Sequence, residues 1–243
     1  MSLLELAGQN MEKLKANPYP GRGIVLGQSP DGKSLVQIYW IMGRSANSRN
    51  RIFEAEGDSV KTKAFDESKV EDPSLIIYYP VRVFKNAHIV TNGDQTDTIY
   101  THLSQGGTFE AALDTRTFEP DAPNYTPRIS GLIDLDNPRV AYQLAILKAV
   151  EGNPAGCQRN YYKYETAIPG IGHCIHTYEN DGNPLPSFRG EPYPVPLFDS
   201  LEENARTYWA LLNSDNRISL MVKMIDPVNR SSRQMILNKH LGD

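Results

Sequence analysis

No apolar run in these 243 residues approaches the length of a membrane span, and the N-terminus lacks the basic-then-apolar order of an export signal. Cysteine is scarce. Cys157 and Cys174 are too few for a disulfide framework, and without an export signal they read as free thiols of a cytoplasmic protein. His, Cys and acidic residues show no zinc spacing, and neither a GxGxxG nor a P-loop is present, so no metal and no cofactor is expected. Charge of one sign is lacking too: 25 Lys and Arg stand against 29 Asp and Glu, a net charge of −4. No global field favours nucleic acid, and any basic site must be local. There is no internal repeat and no dividing linker, so 1–243 reads as one domain with a helical extension over 1–17.

What is present begins with a local concentration of positive charge. The apolar run Leu35-Val36-Gln37-Ile38-Tyr39-Trp40-Ile41-Met42 reads as a buried strand, and it delivers Gly43-Arg44-Ser45-Ala46-Asn47-Ser48-Arg49-Asn50-Arg51. The planar fork of arginine matches a phosphate, and Ser and Asn side chains add neutral donors around it. The loop is therefore a candidate anion clamp, with a solvated basic turn as the plain alternative.

Around this loop the chain alternates short strands with few helices. Residues 3–16 predict a helix with Leu3, Leu4, Ala7, Met11 and Leu14 on one face, closed by Asn17-Pro18. A strand over 19–27 and a turn at Ser29-Pro30-Asp31-Gly32 make a hairpin with the run ending at Met42. Strands follow over 75–79, 81–84 and 88–91. Asn92-Gly93 then leads into a helix from Asp94, favoured as its cap, to about Leu103, and Thr108 to Thr115 predicts another. The segment from Phe118 to Arg128 holds three prolines and two acids, and it enters a strand over 129–135. Residues 140–150 read as strand or helix, and 158–166 and 170–178 as strands. A proline-heavy loop covers 183–196, Asp199 caps a helix to Leu212, and strands over 218–225 and 233–237 close the chain. Hairpins without regularly interleaved helices predict an α+β fold with mainly antiparallel sheets.

Five segments occur in an order that resembles the archaeal-type IMP cyclohydrolases. They are Tyr19-Pro20-Gly21-Arg22 with Gly27, Arg44-Ser45 to Arg49, Ile77-Tyr78, Thr91-Asn92-Gly93 with Thr96-Asp97, and Thr126-Pro127-Arg128-Ile129. The likeness is best over 19–135. The N-terminal helix and extra material around 139–165 and 183–198 depart from the compact form. The resemblance implies a four-layer α/β/β/α sandwich related to the N-terminal-nucleophile hydrolases, but without self-processing, since Gly21-Arg22 stands at the head of the first strand.

It also implies a chemistry: closure of a formamido-imidazole-carboxamide ribonucleotide to inosine monophosphate, with loss of water. The resemblance makes Tyr78 and Arg22 donors to the formyl oxygen, and Glu119 or Asp121 the proton-transfer group. Arg44, Ser45, Asn47, Arg49, Asn92, Gly93, Asp97 and Arg128 would bind substrate. The partner implied is a small purine ribonucleotide, with no nucleic acid and no membrane, and a homo-oligomer is left open. Two other readings stand beside this one: an amidohydrolase using Cys174 or Ser45 as nucleophile, and a purine-nucleotide binder without turnover.

Overall fold

The computed structural model describes residues 1–70 and 77–242. Helix α1 (Leu3–Ala16) starts at a reciprocal Ser2–Glu5 capping box and ends at Asn17. Strands β1 (Gly23–Gln28) and β2 (Leu35–Met42) form the expected hairpin. The arginine loop holds a single helical turn, α2 (Ala46–Arg49), whose cap Ser45 exchanges hydrogen bonds with Ser48. A hairpin of β3 (Arg51–Glu56) and β4 (Ser59–Ala64) follows, which the sequence reading passed over. Its charged outer residues dilute the apolar signal of Phe53 and Val60.

Residues 75 and 76 of the strand expected over 75–79 lie outside the described residues. Tyr78 and Tyr79 are in no strand, although the Tyr78 N–H donates to Thr62 Oγ1 at 2.8 Å. Then come β5 (Val81–Phe84), β6 (Ala87–Thr91), α3 (Gln95–Ser104), α4 (Phe109–Asp114), β7 (Arg128–Asp134), β8 (Tyr142–Val150) and β9 (Asn153–Tyr164). The 140–150 segment is thus strand and not helix. β10 (Ile171–His176) precedes the proline-rich loop, and that loop contains an edge strand, β11 (Tyr193–Pro196). Helix α5 (Leu201–Leu211) is capped by Ser200 and not by Asp199, which instead accepts the Asp31 N–H at 2.8 Å. β12 (Arg217–Asp226) and β13 (Ser231–Asn238) end the chain.

Two antiparallel sheets result. One runs β11-β10-β1-β2-β12-β13, and the other runs β3 to β9 in chain order. Their facing sides share a core that includes Ile24, Leu26, Tyr39, Ile41, Phe53, Ile129, Leu144 and Met221. Side chains of opposite parity on β2, Val36, Ile38, Trp40 and Met42, face outward against α1 and α5 with Leu14, Ala205 and Tyr208. That is why β2 reads as an unbroken apolar run: both of its faces are covered. A third cluster seats Ile99, Phe109 and Leu113 of α3 and α4 on the far side of the second sheet, against Ile89 and Leu132. Helix, sheet, sheet and helix therefore stack as an α+β sandwich. Leu3 and Leu4 are exposed, against expectation, because α1 reaches its sheet along β11 mainly through Ala7, Asn10 and Leu14. No helix among the described residues is long and apolar enough to cross a membrane.

Candidate active site

Register places the start of β1, the end of β2 and the end of β10 side by side, with Gly23 opposite both Trp40 and His176. The segments that continue from these ends therefore meet at one end of the sandwich. There they enclose a cavity of about 340 Å³ together with the proline-stiffened segment before β7. That volume lies within the range of small-molecule sites. Six of the residues singled out from the sequence line it: Arg22, Arg44, Ser45, Asn47, Glu119 and Asp121.

Arg22 is aimed by the turn before it. Gly21 has φ 74°, and a Cβ there would lie 2.2 Å from Thr177 Oγ1, so only glycine fits. The turn is pinned to β10 by Arg22 N–H to Thr177 Oγ1 at 3.1 Å and by Thr177 N–H to the Arg22 carbonyl at 2.9 Å. The guanidinium then stands 3.7 Å from Glu119. Burial works against its charge, but Glu119 and the phenols of Tyr178, Tyr78 and Tyr39 outweigh burial and raise its pKa. For Glu119 burial dominates: it raises the carboxyl pKa despite the opposing charges of Arg22 and Arg128.

Asp121 has a different role. Its Oδ1 accepts the Thr126 N–H at 2.6 Å and its Oδ2 accepts the Thr126 hydroxyl. The Thr126 oxygen lies 2.6 Å from the Tyr178 hydroxyl. Since the Thr126 proton is committed to Asp121, the Tyr178 hydroxyl must be the donor in that contact. Both Asp121 oxygens are thus occupied, whereas Glu119 has only the 3.7 Å Arg22 pair and a long 3.5 Å contact from Asn92.

The three loop arginines separate. Arg44 lies 5.0 Å over the Tyr19 ring, paired with Asp181 and donating to the Gly182 carbonyl at 3.1 Å. Arg49 turns away from the cavity to the Gly43 carbonyl at 3.0 Å and Asn216 Oδ1 at 3.1 Å, holding the loop's shape. Arg51, at the start of β3, lines the cavity and is only 2% exposed. Its Nε donates to the Ser48 carbonyl at 2.8 Å, and among the described residues no carboxylate pairs with it. Burial lowers its pKa, with the phenol of Tyr78 opposing. It is a buried cation with no carboxylate in ion-pair contact among the described residues, and the charge of Glu119 reaches it only at longer range, a costly arrangement that an anionic ligand would relieve.

Tyr78 does not line the cavity. It is 8% exposed, its hydroxyl lies 3.0 Å from that of the fully buried Tyr39, and its phenol acts electrostatically on both Arg22 and Arg51. Asn92 and Gly93 also stand behind the wall. Asn92 binds the Pro127 carbonyl and the Ile129 N–H, both at 2.9 Å, and the Gly93 N–H goes to Thr91 Oγ1 at 3.2 Å and not outward to a ligand. A Cβ on Gly93 would lie 2.8 Å from Arg128 Nη1 and 3.4 Å from Glu119 Oε1, so glycine lets these two groups approach. Arg128 is itself tied to Asp94 at 2.7 Å and Gln95 at 2.6 Å. Asp94 makes no side-chain cap; it pairs with Arg116 and Arg128. Asp97 pairs with Arg82 at 2.7 Å, away from the cavity.

The sequence reading left Arg51, Tyr19, Thr126 and Tyr178 out of the site, though all four line the cavity. Arg51 already stood in the basic cluster, and Tyr19 and Thr126 in the segments that carried the resemblance. Nothing local marks Tyr178; the pairing of β10 with β1 brings it in.

Cys174 is fully buried, and burial pushes its thiol pKa up to about 12, so it is no nucleophile at neutral pH. Among the described residues no group of three or more His, Cys, Asp and Glu side chains could hold a metal ion.

Fold and cavity together define a two-sheet α+β protein with a cationic, acid-bearing pocket suited to a small polar anion. The particular family follows from comparison with known proteins: residues 19–230 match the family described as IMP cyclohydrolase-like protein, and the chain belongs to it. An IMP cyclohydrolase of Methanopyrus kandleri is 32% identical over 119 residues, 48% of this chain and 59% of that protein. The aligned part is thus less than two thirds of the relative's length. Helix α1 precedes the region matched by the family.

Proposed function

We propose that this chain closes the purine ring of a formamido-imidazole-carboxamide ribonucleotide, giving inosine monophosphate and water. The observation that carries the proposal is one cavity holding Arg22, Arg44, Arg51, Glu119 and Asp121 within a chain of this family. Arg51 and Arg44, with Ser45 and Asn47, take the phosphate, and the heterocycle lies toward Arg22, Glu119 and Tyr178.

Nucleophile and electrophile are parts of one molecule, so positioning supplies much of the rate. The carboxamide nitrogen attacks the formyl carbon, and a C–N bond forms while the formyl oxygen gains charge. Arg22, with the Tyr39–Tyr78 hydroxyl pair behind it, stabilises that oxygen. Glu119 takes the proton leaving the nitrogen, because its oxygens are the less committed, and delivers it to the formyl oxygen. The resulting carbinolamine then breaks its C–O bond. Glu119 then takes the proton of the former formamide nitrogen and gives it to the departing hydroxyl, which leaves as water while a C=N bond completes the ring. Asp121, through Thr126, holds Tyr178 with its oxygen lone pairs free to accept the carboxamide N–H.

The same reading relates the sandwich to the N-terminal-nucleophile hydrolases, with Arg22 in place of a processed nucleophile, and puts the enzyme in the cytoplasm. The test is direct. Purified protein and the formylated ribonucleotide should give purine absorbance, and Glu119→Gln should abolish it. Binding of inosine monophosphate with no absorbance change would make the chain a binder and sink the catalytic reading.

A further inference from the structure

A second hollow, larger than the catalytic cavity, lies beside it. It is a groove of about 640 Å³ between α1 and the loop that leads from β10 to β11. Its position is unusual in two respects. One wall is helix α1, which lies outside the region matched by the family, and another is the loop between β10 and β11. The groove also backs directly onto the catalytic cavity. Asn17 faces the groove and Tyr19 the cavity; His176 faces the groove and Tyr178 the cavity. Glu179 and Asn180 face the groove, and Asp181, the next residue, holds Arg44. Asn17 braces this partition, donating to the Glu179 carbonyl at 2.9 Å and accepting the Tyr19 N–H at 3.0 Å.

The groove's lining has a definite chemistry. Its floor is aromatic, with His176 edge-on to Phe188 at 4.6 Å and to Tyr193 at 5.7 Å between ring centres. His176 is 4% exposed, and its Nδ1 lies 2.8 Å from the Tyr178 carbonyl. A carbonyl only accepts, so Nδ1 carries the proton. Burial holds the ring pKa near 4, so at neutral pH the ring is uncharged and Nε2 offers a lone pair. Lys13 and Arg189 stand on the rim as cations, Arg189 only loosely paired with Glu179 at 3.5 Å. An aromatic floor, a fixed acceptor and two rim cations together ask for a flat ring with an N–H donor and an attached anion.

We propose that this groove is a second binding site for an anionic planar heterocycle bearing an N–H donor, the chemistry of a purine mononucleotide. Its occupancy then alters the catalytic cavity through the shared partition. Ring atoms pack on Phe188 and Tyr193, the N–H meets His176 Nε2, and the phosphate meets Lys13 and Arg189. The effect on turnover rests on the ring-closing reading above, whereas the binding does not.

The experiment measures AMP and adenosine binding to the full chain carrying Arg51→Ala, which removes the buried cation of the catalytic cavity; inosine monophosphate is not added, because as a purine mononucleotide it would fill the groove as well. AMP should bind once per chain, and Lys13→Ala with Arg189→Ala should weaken it about tenfold or more, the loss expected for charge-assisted contacts. Adenosine should bind more weakly and ignore the double change. Asn180→Trp, which fills the groove from an exposed position, should block AMP. The parent should show the same rim-dependent AMP affinity. In the ring-closing assay AMP should change turnover of the parent, and the rim double variant should keep basal turnover while losing that response. AMP binding that depends on Arg51 and not on the rim sits in the catalytic cavity and overturns the proposal. So does the absence of AMP binding at about 1 mM. A protein that shows rim-dependent AMP binding but does not close the ring refutes the functional reading and leaves the second site standing.

Discussion

Replacing Tyr78 by Phe deletes one oxygen, and the structure sets two separable consequences. The hydroxyl is 3.0 Å from that of Tyr39, which is completely buried. Removing Tyr78's oxygen strands the Tyr39 hydroxyl without water, at a cost of about 1–3 kcal/mol. For a chain of 243 residues that corresponds to a fall in Tm of about 2–12 °C. Packing around Tyr78 alone would suggest near-normal melting; the buried hydroxyl pair argues otherwise. Tyr39→Phe combined with Tyr78→Phe should recover most of that loss, since no oxygen is then stranded. Turnover should behave differently. If the pair supports the formyl oxygen through Arg22, the single and the double variants should both lose about 10²- to 10³-fold in kcat, with little change in nucleotide affinity. Melting curves and the purine-absorbance assay on the three proteins decide it. Turnover that recovers along with Tm in the double variant would show that the hydroxyls serve only the core, and the catalytic role of Tyr78 would fall.

Arg51→Ala should weaken inosine monophosphate binding by about 2–4 kcal/mol, measured by calorimetry, because it removes a buried cation. Arg44→Ala should cost no more than about 1 kcal/mol, since that side chain is partly exposed and already shares its charge with Asp181. Burial raises the Glu119 pKa, so the acid limb of the kcat/KM profile should lie above the usual glutamate value of about 4.3, and Glu119→Asp should displace it. The ring pKa values of His88, His173 and His176 are lowered by burial from 6.5 to about 4. The folded state binds fewer protons there than the unfolded chain. Stability is therefore full above pH 6.5 and declines as pH falls toward about 4, by at most on the order of 3 kcal/mol per histidine. Urea titrations should show this slope, reduced in His88→Gln.

Local chemistry alone determined much of this protein. The apolar run of β2, the Ser-Pro-Asp-Gly turn, the helix that ends at Asn17-Pro18 and the strand-to-helix junction at Asn92-Gly93 are all short-range features. So is the gathering of arginines after Met42, and the ordered segments around it were enough to point to the family. The β3–β4 hairpin was not legible because its charged residues dilute the apolar pattern, and the edge strand β11 because it is held by β10 across the proline-rich loop and not by an apolar pattern of its own. The roles within the arginine loop were likewise undecided. Arg44, Arg49 and Arg51 are equivalent as letters, and only packing makes the first a surface pair with Asp181, the second a loop brace and the third a buried, unpaired cation. Asp121 and Glu119 stand two apart, yet one is consumed by Thr126 while the other faces Arg22. Tyr178 and the groove behind it depend on β10 lying beside β1, a contact between residues more than 140 positions apart. Which groups meet across such a distance is set by the closure of the whole sandwich, a non-local property that no window of sequence contains.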